Sequence, residues 1–242
     1  MHTTHILRPA QVVGALLLAA AISACSSSDP EDVVRDAKIA ASSEPTAYEA
    51  VLVLESATYS LSCYRSAFSC DDDRDIEAVE QLRIAIGEEL LKAAEKQELR
   101  LVDRALNGSN WQAGLWPTSA TKAKVVSVLL AAAQEENARA DVLFFAGAQA
   151  KAGENTEQNF LLAISLLERA WLGGHDSAAA SLASIYDSLE DQANAYLWAV
   201  RCIGRCRVGQ SLNNFIEKLD KQSILRVQAM ATDRTVLRVD PV

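Results

Sequence analysis

Cysteine, histidine, serine and the acids are the residues of this chain that could do chemistry, and their spacing sorts them. Five cysteines occur. Cys25 stands alone behind an apolar run, while Cys63 with Cys70 and Cys202 with Cys206 form two close couples. His175-Asp176-Ser177 has the residue types of a hydrolase triad. Three adjacent residues cannot reach one another in the geometry such a relay needs. Asp71, Asp72, Asp73, Asp75 and Glu77 suggest a calcium loop, but the glycine of its sharp turn is missing, since the sixth position from Asp71 is Ile76. The same acids suit the start of a helix, where the backbone dipole favours negative charge. Neither a Gly-rich phosphate loop nor a metal-ligand pattern is found in the sequence. The expectation is a protein that is no enzyme, with no cofactor and no metal site.

Residues Ile22-Ser23-Ala24-Cys25 close an apolar, uncharged stretch from Val12 to Ala21, preceded by His2, His5 and Arg8. This resembles the lipobox of bacterial lipoproteins, where a signal peptidase cuts before a cysteine whose sulfur carries lipid. The resemblance implies that residues 1–24 are an address and that Cys25 is the lipidated residue. The apolar run is too short for a membrane span, which needs roughly 20 such residues. Each buried lipid methylene contributes about 0.8 kcal/mol, so several acyl chains give a lasting tether. Ser26 in place of an aspartate implies, by the same resemblance, the periplasmic face of the outer membrane.

Removing residues 1–24 takes away Arg8 and no acid, so the formal net charge of −9 becomes −10. That excludes binding nucleic acid or anionic lipid by charge. An apolar share of 50% suffices for a substantial core, and five prolines with ten glycines are too few for a turn-rich all-β protein.

In an oxidising compartment the four remaining cysteines read as disulfides, with Cys63–Cys70 and Cys202–Cys206 favoured among three possible connectivities. Helical neighbours at i and i+4 hold their Cβ atoms about 5–6 Å apart, and a disulfide wants about 3.5–4.5 Å. A helix must therefore end between Cys202 and Cys206, where Gly204 allows it, and the chain must turn near Ser69. A zinc site lacks ligands, because His175 is the one histidine left after cleavage. The spacing of a redox pair is absent.

The positioning elements read as helices throughout. Asp29-Pro30-Glu31 opens a short one with a cap and a proline at its first position. Ser42 to Pro45 breaks it, and Thr46 with Glu49 forms a capping box for the next, with Tyr48, Leu52, Tyr59 and Phe68 among the apolar positions. From Asp75 to about Leu106, Ile76, Val79, Leu82, Ile86, Leu90, Ala93 and Ala94 recur at steps of three and four, which predicts one helical stripe. Asn107-Gly108 ends it. Trp111 and Trp116 follow in a loop, where they plug a gap between helices or form a ligand shelf. Helical pattern resumes over 118–134 and 140–152, and nothing reads as a strand.

From Ala140 onward the chain repeats. Residues 146–150 align with 182–186 at an offset of 36, and 163–170 align with 195–202 at an offset of 32. Each unit is then a helical hairpin that buries its apolar face against its neighbour. Small residues such as Ala163, Ala170, Ala178 and Ala199 let helices approach, and Leu167, Tyr186 and Trp198 fill the gaps. The run from Leu166 to Ala178, with Gly173-Gly174, resembles the Sel-one-like repeat family, short relatives of tetratricopeptide repeats. Leu182 to Tyr186, Ala195 to Trp198 and a cap over Leu212–Met230 extend the likeness. Ser188-Leu189 departs from it where the family has a glycine.

The expected organisation is a signal peptide over 1–24, a lipid-anchored segment with a short helix over 25–45, a helical region over 46–139, repeats with their cap over 140–232, and a tail over 233–242. The expected fold is all-α, with helical hairpins stacked as a short α-solenoid. The resemblance implies an adaptor presenting that surface to protein partners in the cell envelope. Two other readings stay open: an accessory lipoprotein of a cell-wall maintenance or secretion system, and a peptidoglycan- or small-ligand-binding protein using Trp111 and Trp116.

Overall fold

The computed structural model describes residues 29–61, 73–108, 111, 115, 117–202, 206 and 212–240. Residues 22–25 with the expected lipidation at Cys25, the acids Asp71 and Asp72, and Cys63, Phe68, Cys70, Trp116 and Gly204 lie outside them. The described chain is all-helical, without a strand. It divides into two compact units, one drawn from residues 1–45 and 49–85, the other from residues 46–48 and 86–242.

The first unit contains α1 (Pro30–Ser42), most of α2 (Ala47–Ala57), a 3-10 turn at Thr58–Ser60 and the start of α3 (Asp73–Glu95). Asp29 caps α1, its Oδ1 accepting from the Glu31 amide at 3.0 Å. Val34, Ala37, Ala41, Val51, Leu54 and Leu82 are buried, whereas Leu52, Tyr59 and Ile76 are exposed. Ile76 thus begins the apolar stripe in sequence but not in space.

The single helix expected from Asp75 to Leu106 is two, α3 and α4 (Leu99–Asn107). Gln97 adopts a left-handed φ of 56° between them. The Glu98 amide donates to Ala93 O at 2.8 Å and the Gln97 amide to Ala94 O at 3.1 Å, a Schellman closure that satisfies the last carbonyls of α3. The helix ends there without a glycine to mark it.

The second unit continues through α5 (Ser119–Ala133), α6 (Ala140–Ala152), α7 (Phe160–Leu172), α8 (Ala178–Ser188), α9 (Gln192–Arg201), α10 (Leu212–Ile216) and α11 (Lys221–Ala231). Side chains start these helices. Thr118, Asn159, Asp191 and Asp220 each accept from an amide three residues on, replacing a partner the first turn lacks. Left-handed residues stop three of them: Gly153 at φ 73°, Gly174 at 96° and Glu190 at 60°.

Each helix packs on the next in sequence from α5 to α9, and α9 also meets α10 and α11. Ala146, Ala163, Ala170 and Ala178 are fully buried. Approach is close at Gly147 of α6, where a Cβ would stand 2.8 Å from Leu167 Cγ of α7. Arg169 ties α7 back to the end of α5, donating to Ala133 O and Glu135 O at 2.7 Å each. A cation there suits the negative end of the α5 dipole.

Candidate functional site

Past α11 the chain makes a turn, the Val236 amide donating to Asp233 O at 3.3 Å, and then runs on to residue 240 with neither helix nor strand, and the surface of α7, α8 and α9 holds it. A segment that is neither helix nor strand has no ladder to satisfy its amides, so side chains must do it where it is buried. Asn194, in the first turn of α9 and buried, supplies both halves. Its Oδ1 accepts from the Val239 amide at 2.8 Å, and its Nδ2 donates to Val239 O at 3.2 Å. This is main-chain recognition, independent of the side chain at 239. Asp191 steadies the amide by accepting from Asn194 Nδ2 at 2.8 Å while also capping the helix. The Val239 side chain is buried with the core.

One residue earlier, Arg238 meets Glu168 of α7. Arg238 Nε stands 3.0 Å from Oε1 and Nη2 stands 3.2 Å from Oε2. This fork geometry reads a guanidinium rather than any cation. Glu168 is buried at 8% exposure, so its charge demands a partner. Tyr186 OH of α8 completes the set, donating to Glu168 Oε1 at 3.4 Å. Burial first, and then the Glu168 charge, push the Tyr186 phenol up to about 12. Tyr186 therefore stays a donor at any neutral pH.

The other end of the segment is read by aromatic and carbonyl groups. Arg234 lies over the Trp171 ring at 3.8 Å, and its Nε donates to Trp171 O at 3.0 Å. Trp171 Nε1 donates back to Arg234 O at 3.0 Å. Asp176 accepts from Arg234 Nη1 at 3.0 Å. Beneath, Arg201 faces the Trp198 ring at 4.8 Å, with Trp171 set edge-on to Trp198. Arg201 Nε donates to Ala231 O at 3.3 Å, and Arg201 also bonds the carbonyl of Asp233. Burial lowers the Arg201 pKa from its ordinary value.

Two hollows flank this track. One, of about 360 Å³, lies between Trp171, Arg201, Gln228 and Arg234. The other, of about 600 Å³, lies beside Val239 and Asp240 and is walled by Leu161, Ile164, Leu189 and Gln192. Leu161 is 83% exposed. Gln192 Oε1 is buried with no hydrogen-bond partner among the described residues.

The residues singled out from sequence fall elsewhere. Cys202 and Cys206 are joined, with sulfurs 2.01 Å apart, and α9 ends at Arg201 with Cys202 as its cap. The helix stops where the short bridge requires. Trp111 is buried, donates Nε1 to Arg104 O at 3.2 Å and has Arg104 over its ring at 4.4 Å. His175 stacks on Phe144 at 4.1 Å, Asp176 pairs with Arg234, and Ser177 precedes α8. Among the described residues no three potential ligands gather around a metal position, and no helix is long and apolar enough to cross a membrane.

Glu168 and Asn194 are the site residues that sequence reasoning missed. The one available signal was a glutamate inside the apolar run from Leu161 to Trp171. Its partner lies 70 residues away, beyond any local pattern. No family model, curated protein or solved structure matches the chain.

Proposed function

We propose that this chain is a lipid-anchored adaptor of the bacterial envelope, tethered through Cys25 at the periplasmic face of the outer membrane, whose hairpins stack as a short Sel-one-like solenoid and bind protein partners. The observation that carries the reading is the surface of α7–α9. It grips a non-helical segment by its main chain through Asn194, by a guanidinium through Glu168 and by a second guanidinium through Trp171. Those are the means by which a helical surface recognises a protein segment. The repeat offsets support the solenoid, since they superpose α6 on α8 and α7 on α9. The lipobox supports the tether. His175, Asp176 and Ser177 serve packing, pairing and the entry to α8, which supports binding rather than catalysis.

Cross-linking in intact membranes, followed by capture of the chain, tests the adaptor role. Cys25→Ser tests the tether. The variant should carry no acyl label and leave the outer-membrane fraction. Normal fractionation of Cys25→Ser removes the tether from the account.

A further inference from the structure

We propose that the α7–α9 surface is a binding site for a non-helical segment of a partner protein that carries two arginines four residues apart, the first in a turn, and an aliphatic residue directly after the second, and that residues 234–239 occupy this site within the chain. The proposal rests on the adaptor reading for the source of the segment, and on this surface for its chemistry.

The spacing comes from the occupant. Arg234 packs on Trp171, Arg238 forks onto Glu168, and Val239 is clamped by Asn194 with its side chain in the core. These three anchors read a pattern, Arg-x-x-x-Arg-aliphatic, in which Leu237 also packs, half-buried, against the core, while Thr235 bonds back to Asp233 and not to the helices. Charge agrees. Glu168, Asp176 and Asp191 lie on this surface of a chain with net charge −9, so a basic segment is favoured on approach.

The intramolecular hold is also the kind that exchanges. The Arg238 side chain is 59% exposed, as is much of Arg234 at 41%. Water and salt therefore screen both ion pairs. The site exceeds what the described residues fill. The hollow of about 600 Å³ continues past Val239 to exposed Leu161 and Leu189, and there Gln192 Oε1 has no described partner. A partner segment running on past its aliphatic residue gains those contacts, which offset the advantage of a tethered competitor. That advantage is large, because a short tether holds its segment at millimolar effective concentration.

The probe is a fluorescent peptide with the sequence of residues 232–240, and the readout is anisotropy against the full-length chain. In the receptor, Arg238→Ala with Val239→Gly loosens the resident segment, and circular dichroism checks that the helices persist. The peptide should bind this variant at least about 10-fold more tightly than wild type. Replacing the peptide's second arginine by alanine should cost about 3- to 5-fold, and adding Glu168→Gln to the receptor should abolish that difference. Should the double variant lose its helices, Arg238→Ala alone serves, since that side chain is largely in solvent. Equal affinity for wild type and a folded variant overturns the proposal, as does no binding to either. The adaptor reading fails separately. A working peptide site with no protein cross-linked in membranes sinks the adaptor and keeps the site. A captured partner that the peptide cannot displace sinks the site and keeps the adaptor.

Discussion

Asn194→Ala is the sharpest perturbation of the segment-holding surface. Asn194 is 4% exposed and Val239 is 6% exposed. The substitution strips a partner from both the Val239 amide and its carbonyl. An unsatisfied buried polar group costs about 1–3 kcal/mol, so keeping the segment in place would cost roughly 2–6 kcal/mol. Releasing it is the alternative. That surrenders the burial of Val239, about 1.5–3 kcal/mol, and the half-exposed Arg238–Glu168 pair, about 0–1 kcal/mol. The molecule takes the cheaper route, and the expected loss is about 2–4 kcal/mol. Helix α9 itself should survive, because Asp191 caps it through the Asn194 backbone amide at 3.1 Å. Asn194→Asp should not rescue, since it sets a second carboxylate against Asp191 and the Val239 carbonyl. Urea unfolding followed by tryptophan fluorescence reads the unit that contains Trp171 and Trp198. Asn194→Ala within about 0.5 kcal/mol of wild type would refute the reasoning, because surface substitutions lie in that range.

Ala170→Phe, at a fully buried position of α7, should overpack the α7–α8 contact and cost roughly 1–3 kcal/mol in the same assay, while exposed Glu157→Ala should stay within about 0.5 kcal/mol. Opening the Cys202–Cys206 bridge by Cys206→Ser should cost about 2 kcal/mol, the chain-entropy value for so short a loop, read as a lowered urea midpoint. Tyr186 should ionise late in an ultraviolet base titration. Its folded value of about 12 lies above the unfolded value of about 10. The stability this gives is complete below pH ~10 and is lost as pH rises through about 12. Glu168→Gln should lower the Tyr186 midpoint, since the neighbouring negative charge that helps raise it is gone.

Much of the helical frame was legible because its signals are local. Asp29-Pro30, Thr118 and the Gly153 turn declare their ends, and the stretch 140–152 begins and stops where the pattern does. Ala170 and Ala178, read from the sequence as small residues that let helices approach, are fully buried. The break at Gln97 was not legible. Glutamine in a left-handed conformation is held by the two closing hydrogen bonds and by tertiary packing, not by its own preference. Glu190 hides a helix end in the same way. The site itself was illegible for a different reason. Residues 233–242 carry no periodicity and read as a tail, while Glu168 reads as one polar residue of an amphipathic helix. Only the fold brings Arg238 and Val239 onto Glu168 and Asn194, across 70 and 45 residues of sequence.

Residue-resolved amide hydrogen exchange at Val239 tests the central claim most directly. If Asn194 holds the segment in place, the Val239 amide exchanges slowly in the wild-type chain, in step with the α9 amides, and loses that protection in Asn194→Ala while α9 keeps its own. A Val239 amide that exchanges in wild type at the rate of an unstructured peptide contradicts the account.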